Sequence, residues 1–334
     1  MVAEAPLVSI LIRSMDRPTL ARALDTAAAQ THPKLELVVV AACGSVHRPL
    51  PESWKGRPLR LVVAPGGTRL PRPEAANLCL ESARGEWLNF LDDDDELLPA
   101  HVETLLRAAS DRDDARVLYA KARVIDELGQ VLGHVGYAGN HVQLWFQSRA
   151  TPCAMLLHRS LIDAGARFDP AFAVHEDHDF QVNCATRTAF RFVNAETSVW
   201  HGQAGDSGCG FGTNNDQALR QRAVQRIREK WGAAFERWLC DADALLYTGQ
   251  QYLKNGNLAA AIPCFDQALH VRPGDVNALN LGGVAHLRNG DLARAEQWLR
   301  QAAARLPGHA GIRENLQLVL AQRAAQTPAD RGRR

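Results

Sequence analysis

The residues most able to do chemistry are Asp92, Asp93, Asp94 and Asp95, four consecutive carboxylates that close the apolar run Trp87 to Leu91. Like charges this close repel by several kcal/mol at intermediate dielectric, so gathering them calls for a compensating cation or full solvation. Ligands that are all oxygen select hard divalent ions such as Mg2+ or Mn2+. The competing reading is a solvated acidic turn whose carboxylates cap a helix starting near Pro99. A second cluster, His175-Glu176-Asp177-His178-Asp179, places Asp177 83 residues beyond Asp94. It stands before a helix, where acidic residues are frequent caps that favour the helix dipole.

These carboxylates need a frame. Apolar runs at Val8 to Ile12, Leu35 to Ala42, Leu59 to Ala64 and Trp87 to Leu91 alternate with helical patterns at Thr19 to Gln30, Pro73 to Ser82 and Ala100 to Ala109. Strands joined by crossover helices give this signature. Near-continuous Val, Ile and Leu suit strands covered on both faces, hence a doubly wound, parallel arrangement. Ligands of such sheets bind beyond the carboxyl ends of the strands. Arg13-Ser14-Met15-Asp16, Gly44-Ser45 and Asp92 to Asp95 should therefore converge on one sheet edge. Strands at Arg116 to Ile125 and Phe190 to Trp200, with a helix at Asp179 to Ala189, continue the same domain.

Residues 202–215 contain five glycines and read as a loop suited to a lid. The helix expected from Asp216 to Leu239 carries Arg220, Arg222, Arg226, Arg228, Lys230 and Arg237, either as a solvated face or as a contact for an anionic acceptor or lipid head group. Beyond Asp241 the chain repeats with an offset of 34: Lys254-Asn255-Gly256-Asn257-Leu258 returns as Arg288-Asn289-Gly290-Asp291-Leu292, and Gly249 as Gly283. Pro263 falls inside a helix of the first unit, which should kink it or delay its start. The domains expected are thus 1–215, a connecting helix at 216–240, two helical repeats and a final helix at 241–325, and a disordered tail at 326–334.

Composition bounds the function. The 334 residues are 46% hydrophobic and 22% charged, with a formal charge of +1, so no global field draws the chain to nucleic acid or to a membrane surface. No apolar run approaches the ~20 residues of a transmembrane span. Seven scattered cysteines without a C-x-x-C pair argue for reduced thiols. The expectation is a cytoplasmic chain without a transmembrane segment, with peripheral contact at the inner face of a membrane left open.

The order Val8 to Pro18, Gln30, Glu36 to Val40, Asn77, Ala83-Arg84-Gly85-Glu86, Leu91 to Asp95 with Pro99, Phe168-Asp169 and Glu176-Asp177 resembles the family 2 glycosyltransferases of GT-A fold. The repeat of 34 resembles the tetratricopeptide repeat. The resemblance implies an α/β catalytic domain with a doubly wound mixed sheet, followed by an all-α helical array. It implies a nucleotide-diphosphate sugar donor, with Mn2+ or Mg2+ held by the D-x-D residues Asp92 and Asp94, and His201 as a further candidate metal ligand. Arg13, Ser14, Asp16, Arg72, Asn77, Asp92 and Asp93 become candidates for donor binding. Asp177 becomes the base that deprotonates the acceptor hydroxyl of a glycan, lipid-linked or protein acceptor in an inverting reaction. The repeats imply a protein partner or self-association.

One motif departs from the pattern. Where the family shows Asp-Asp-Gly-Ser, this chain has Ala42-Cys43-Gly44-Ser45. Base recognition then moves to other groups such as Arg13, Asp16 or Arg72, nucleotide preference changes, or donor binding weakens. The departure also supports a second hypothesis, a catalytically degenerate sugar or nucleotide binder acting as an adaptor through its repeats. A phosphatase with an aspartate nucleophile is disfavoured, because its Asp-x-Asp usually follows the first strand.

Overall fold

A computed structural model describes residues 4–109, 115–202 and 216–326. The chain divides into two compact units, Met1–Gly232 and Ala233–Arg334.

In the first unit, strand β1 (Val8–Ser14) is buried at every position, which explains its unbroken apolar sequence. It lies between β2 (Leu35–Ala41) and β5 (Trp87–Asp92), parallel to both. β4 (Arg57–Val62) extends the parallel set beyond β2, and β3 (Ser53–Trp54) closes that edge as a hairpin partner of β4. On the other side β9 (Met155–His158) runs antiparallel between β5 and β7 (Val117–Ile125). β10 (Phe190–Trp200) is parallel to β7, and both β6 (Glu96–Leu97) and β8 (Val131–Val135) pair antiparallel, with β10 and β7 respectively. The sheet is therefore mixed and doubly wound. Helices α1 (Leu20–Ala28), α2 (Arg72–Ser82), α3 (His101–Ala108), the short α4 (Ser160–Asp163) and α5 (Glu176–Ala185) complete the fold before α6 (Gln217–Trp238). Apolar side chains of alternate strand positions feed two separate cores, Leu11 and Val38 in one, Ile10, Ile12 and Val39 in the other.

Several motif residues are joints between these elements. Ser9 Oγ donates to Glu36 Oε1 at 2.6 Å and accepts from Gly85 N at 2.8 Å, while Arg84 N donates to the same Glu36 oxygen at 2.7 Å. A Cβ on Gly85 would stand 2.6 Å from Ser9 N, so only glycine permits this approach. Gln30 ties α1 to α3, donating to Leu98 O at 2.8 Å and accepting from Val102 N at 3.1 Å.

In the second unit, α7 (Ala242–Lys254) with α8 (Leu258–Val271) and α9 (Val276–Arg288) with α10 (Leu292–Arg305) form two helical hairpins, followed by α11 (Ala310–Gln326). The period of 34 is visible in the contacts. A Cβ on Gly249 would meet Phe265 at 2.8 Å, and one on Gly283 would meet Leu299 at 2.7 Å, 34 residues later in both partners. N-caps repeat likewise: Asp241 accepts from Ala244 N and Asp275 from Ala278 N, Asn257 from Ala260 N and Asp291 from Arg294 N. Pro263 does not delay its helix; α8 starts at Leu258, and the proline lies inside it.

Candidate active site

Register delivers the site. Arg13 and Asp92 are paired positions on neighbouring parallel strands at their carboxyl ends. The buried Arg13 guanidinium grips Asp92 with Nη2 at 2.7 and 3.0 Å and Nε at 3.0 Å, and donates through Nη1 to Glu176 Oε1 at 2.8 Å. Burial opposes the charge on Arg13, but the two carboxylates outweigh it and raise its pKa. Burial likewise opposes the charge on Asp92, and Arg13 and Arg72 outweigh it, holding this carboxyl below its usual range.

The chain then turns, with Asp95 N donating to Asp92 O at 3.1 Å. Asp93 points into the protein, fully buried, and accepts from Met15 N at 2.8 Å and Arg17 Nη1 at 2.7 Å. Arg17 reaches Asp94 Oδ2 as well, at 3.1 Å. That half-share is not enough: burial first, then the charge of Asp92, pushes Asp94 up to about 6. Asp95 is also pushed up, by burial and by Asp94 and Asp92, and it accepts from His201 N at 3.0 Å. Pairing of β6 with β10 is what brings His201 here. Its Nε2 lies 2.8 Å from Glu96 Oε1.

A cavity of about 870 Å3 opens over this edge. Of the residues proposed from sequence, Arg13, Arg72, Asp92, Asp94, Asp177 and His201 line it. Ser14, Asp16, Asn77 and Asp93 do not. Ser14 is buried beneath, donating to Asp93 at 3.3 Å. Asp16 accepts from the Arg48 backbone at 3.0 Å. Asn77 clamps the backbone of Phe168, donating to its oxygen at 2.8 Å and accepting from its nitrogen at 2.9 Å. Those four support the walls. Sequence reasoning passed over Arg17, Arg69 and Arg149, which line the cavity; Arg17 lies within the Val8 to Pro18 motif, whereas Arg69 and Arg149 stand outside every motif. Tyr137, in a loop expected to line an acceptor groove or merely to pack, also borders the cavity.

The second acidic cluster is not a set of simple caps. Glu176 is the partner of Arg13, and Arg72 Nε stands 3.7 Å from the same oxygen. Asp179, equally buried, accepts from Lys230 Nζ at 2.8 Å and Trp231 Nε1 at 2.7 Å. Three of the basic residues on α6 therefore bind other elements of the first unit: Lys230, Arg226 donating to Ala171 O at 2.8 Å, and Arg228 donating to Trp145 O at 2.9 Å. Asp177 lines the cavity beside His175 and Glu176, with Oδ1 accepting from His178 N at 2.8 Å. His175 before it adopts a left-handed conformation, φ 56°, which turns the chain into α5. The glycine-rich lid expectation falls at 203–215, outside the described residues.

With this geometry in place, residues 9–164 match the family described as Glycosyl transferase family 2, and residues 248–310 match the Tetratricopeptide repeat. Residues 9–164 of the first unit thus resemble a family 2 glycosyltransferase domain. An uncharacterized glycosyltransferase of Methanocaldococcus jannaschii is 21% identical over 54% of this chain and 65% of its own length, so the match spans under two thirds of that relative. Another, from Haemophilus influenzae, is 26% identical over 67% of this chain and 77% of the relative. Among solved structures, S. aureus TarS shares 14% identity over 95% of this chain and 55% of its own, with a TM-score of 0.49.

In this glycosyltransferase-like domain the donor set can be tested against the divalent ion that the family implies. Asp92 has Arg13 on both oxygens and His201 has Glu96 on Nε2. Among the described residues no three His, Cys, Asp or Glu side chains converge as a metal cage. Asp94 is different. It borders the cavity and its charge is under-compensated. The residues fit an ion shared between one protein carboxylate and ligand phosphates, the usual habit of Mg2+.

Proposed function

We propose that this chain transfers a sugar, with inversion, from a nucleotide-diphosphate donor to an acceptor hydroxyl. The observation that carries the proposal is the meeting of Asp94 and Asp177 on one cavity at the carboxyl edge of the parallel strands in a domain that resembles family 2. Arg69 and Arg72, beside Met15, Ala42 and Leu70 on the same cavity, supply cations for the diphosphate and an apolar wall for the nucleoside. A divalent ion held by Asp94 and the donor's phosphate oxygens would neutralise the charge that develops on the leaving group. Asp177 takes the proton of the acceptor hydroxyl while that oxygen forms its bond to the anomeric carbon. The bond from that carbon to the diphosphate breaks, and the nucleoside diphosphate leaves with the electron pair. Arg13, by fixing Asp92 and Glu176, holds the first residue of the D-x-D and the helix start that presents Asp177 in one frame. The helical repeats serve as a surface for a protein partner or a second copy.

The test is a panel of nucleotide sugars with and without Mn2+, read by thermal shift and nucleotide release. We expect one nucleoside diphosphate to stabilise the chain in a metal-dependent way. Asp177→Asn should bind it and fail to release nucleotide, with turnover down by about a hundredfold or more, and Asp94→Ala should lose the metal dependence. Absence of any response to nucleoside diphosphates would sink the proposal. Ala42 lines the cavity where the family shows a carboxylate, which favours a second reading as a binder without turnover. Binding with no release from any donor would select it.

A further inference from the structure

Arg149 sits in the connection between β8 and β9 and is 4% exposed. Its guanidinium lies over the Tyr119 ring, 5.1 Å from the centroid, and donates to Tyr119 Oη, to Asn140 O and, at 2.6 Å, to Gly139 O. All three acceptors are neutral. Among the described residues no carboxylate pairs with it, in contrast to Arg13 with its two. Its Nε is buried with no partner, so at most three of its nitrogen-bound protons are matched out of the five that a guanidinium offers. A buried charge without a counter-charge is costly. Arg149 lines the cavity, so a ligand can bring the missing anion.

Which ligand follows from what holds the segment. Arg149 N donates to Gln181 Oε1 at 2.7 Å, and Gln181 Nε2 donates to Ala150 O at 2.9 Å. Gln181 stands four residues after Asp177 on α5, one turn along the same face. The helix that presents the base thus also fixes Arg149. Arg69, just before α2, and Arg72, its first residue, stand instead on the side of the donor wall described above. The geometry points to an acceptor that carries an oxyanion, a phosphate ester or a carboxylate, close to its reacting hydroxyl, with Arg149 as the residue that selects it. Tyr137, 54% exposed and lining the same cavity, offers a flat face to the acceptor's carbon skeleton. This inference rests on the glycosyltransferase reading and narrows its acceptor.

The full chain, saturated with whichever of UDP, GDP or ADP binds best, can be titrated calorimetrically with glycerol 3-phosphate against glycerol and with glucuronate against glucose. The two pairs separate a phosphate source from a carboxylate source. We expect one oxyanion to bind about tenfold or more tightly than its neutral counterpart. Arg149→Gln should erase that preference, Arg149→Lys should keep part of it, and the nucleoside diphosphate should bind within about twofold of wild type in both. Four results overturn the inference. They are no preference for either oxyanion in the wild type, an unchanged preference in Arg149→Gln, an equal loss of nucleotide binding, or loss of the folded circular-dichroism signal in both variants. The third would move Arg149 to the donor end, and the fourth would make it a loop clamp. Failure of the wild type to bind any nucleoside diphosphate counts against the glycosyltransferase reading instead, and the oxyanion titrations without nucleotide still decide the role of Arg149.

Discussion

Arg13 joins two strands and a helix through one buried guanidinium, and its removal would strand two carboxylates. Breaking a buried ion pair from one side costs about 3–5 kcal/mol. We expect Arg13→Met to lose that much in urea denaturation, and Glu176→Gln, which keeps a hydrogen-bond acceptor, to lose clearly less. Equal losses would mean that the charge on Glu176 matters as much as the cation that meets it. At this scale the sequence was only partly legible. Asp94 and Asp177 were picked out and both reach the cavity. Asn77, Phe168, Gln30, Glu36 and Gly85 belong to the same ordered motifs, yet they clamp elements together. A residue type at a fixed spacing says that a side chain is required, without saying whether it faces a ligand or a neighbouring strand. Arg149 shows the converse: its burial without a counter-ion arises from contacts 9, 10 and 30 residues away, and no local pattern encodes that.

Elements with a run of buried apolar residues were readable to within a few residues, β1, β2, β5, β7 and the helices α1 to α3, and so was β10, most of which is only half-buried. The second acidic cluster misled, because α5 begins at Glu176 rather than Asp179, and its start is set by long-range partners. The short strands β3, β6, β8 and β9 were missed, since two to five residues carry too little periodicity. Two of them matter to the site. β6 places His201, and β9 receives the side chain of Asn89, a polar residue inside β5 that donates to Met155 O at 2.7 Å. Asn89 Nδ2 also lies 3.2 Å from His101 Nε2, and His101 Nδ1 lies 2.9 Å from Thr197 Oγ1. Burial pushes His101 down to about 3. An unfolded histidine titrates near 6.5. Between those values the unfolded chain binds one more proton, so this residue's contribution to stability is full above about pH 6.5 and falls as pH falls. Relative to His101→Gln, the wild type should lose about 1.4 kcal/mol per unit between pH 6 and 4. Parallel stability curves for the two proteins would contradict this.

For the molecule as a whole, the formal charge of +1 hides local separation: an acidic turn held by Arg13 and Arg17, and a helix whose Lys230 neutralises Asp169 and Asp179 at 2.8 Å each. The helical repeats were readable because the offset of 34 is a property of the sequence alone. Its physical basis is the close approach at Gly249 and Gly283, where any Cβ would press on Phe265 or Leu299. A helix interior gains up to about 1 kcal/mol when alanine replaces glycine, whereas overpacking a filled core costs about 1–3 kcal/mol. The contact of 2.7 Å to the branched Cγ of Leu299 makes the second effect the larger one. Gly283→Val adds two further methyl groups and forgoes the propensity gain, so it should lower the stability of the helical unit by about 3 kcal/mol or more. Thermal melts followed by far-ultraviolet circular dichroism would register this as a lower transition for the α-helical signal. Because the cavity and every residue assigned to it lie in Met1–Gly232, nucleoside-diphosphate affinity measured below that transition should stay within about twofold of wild type. A parallel loss of affinity would show that the helical array contributes to the site, and the two compact units would then have to be treated as one cooperative structure.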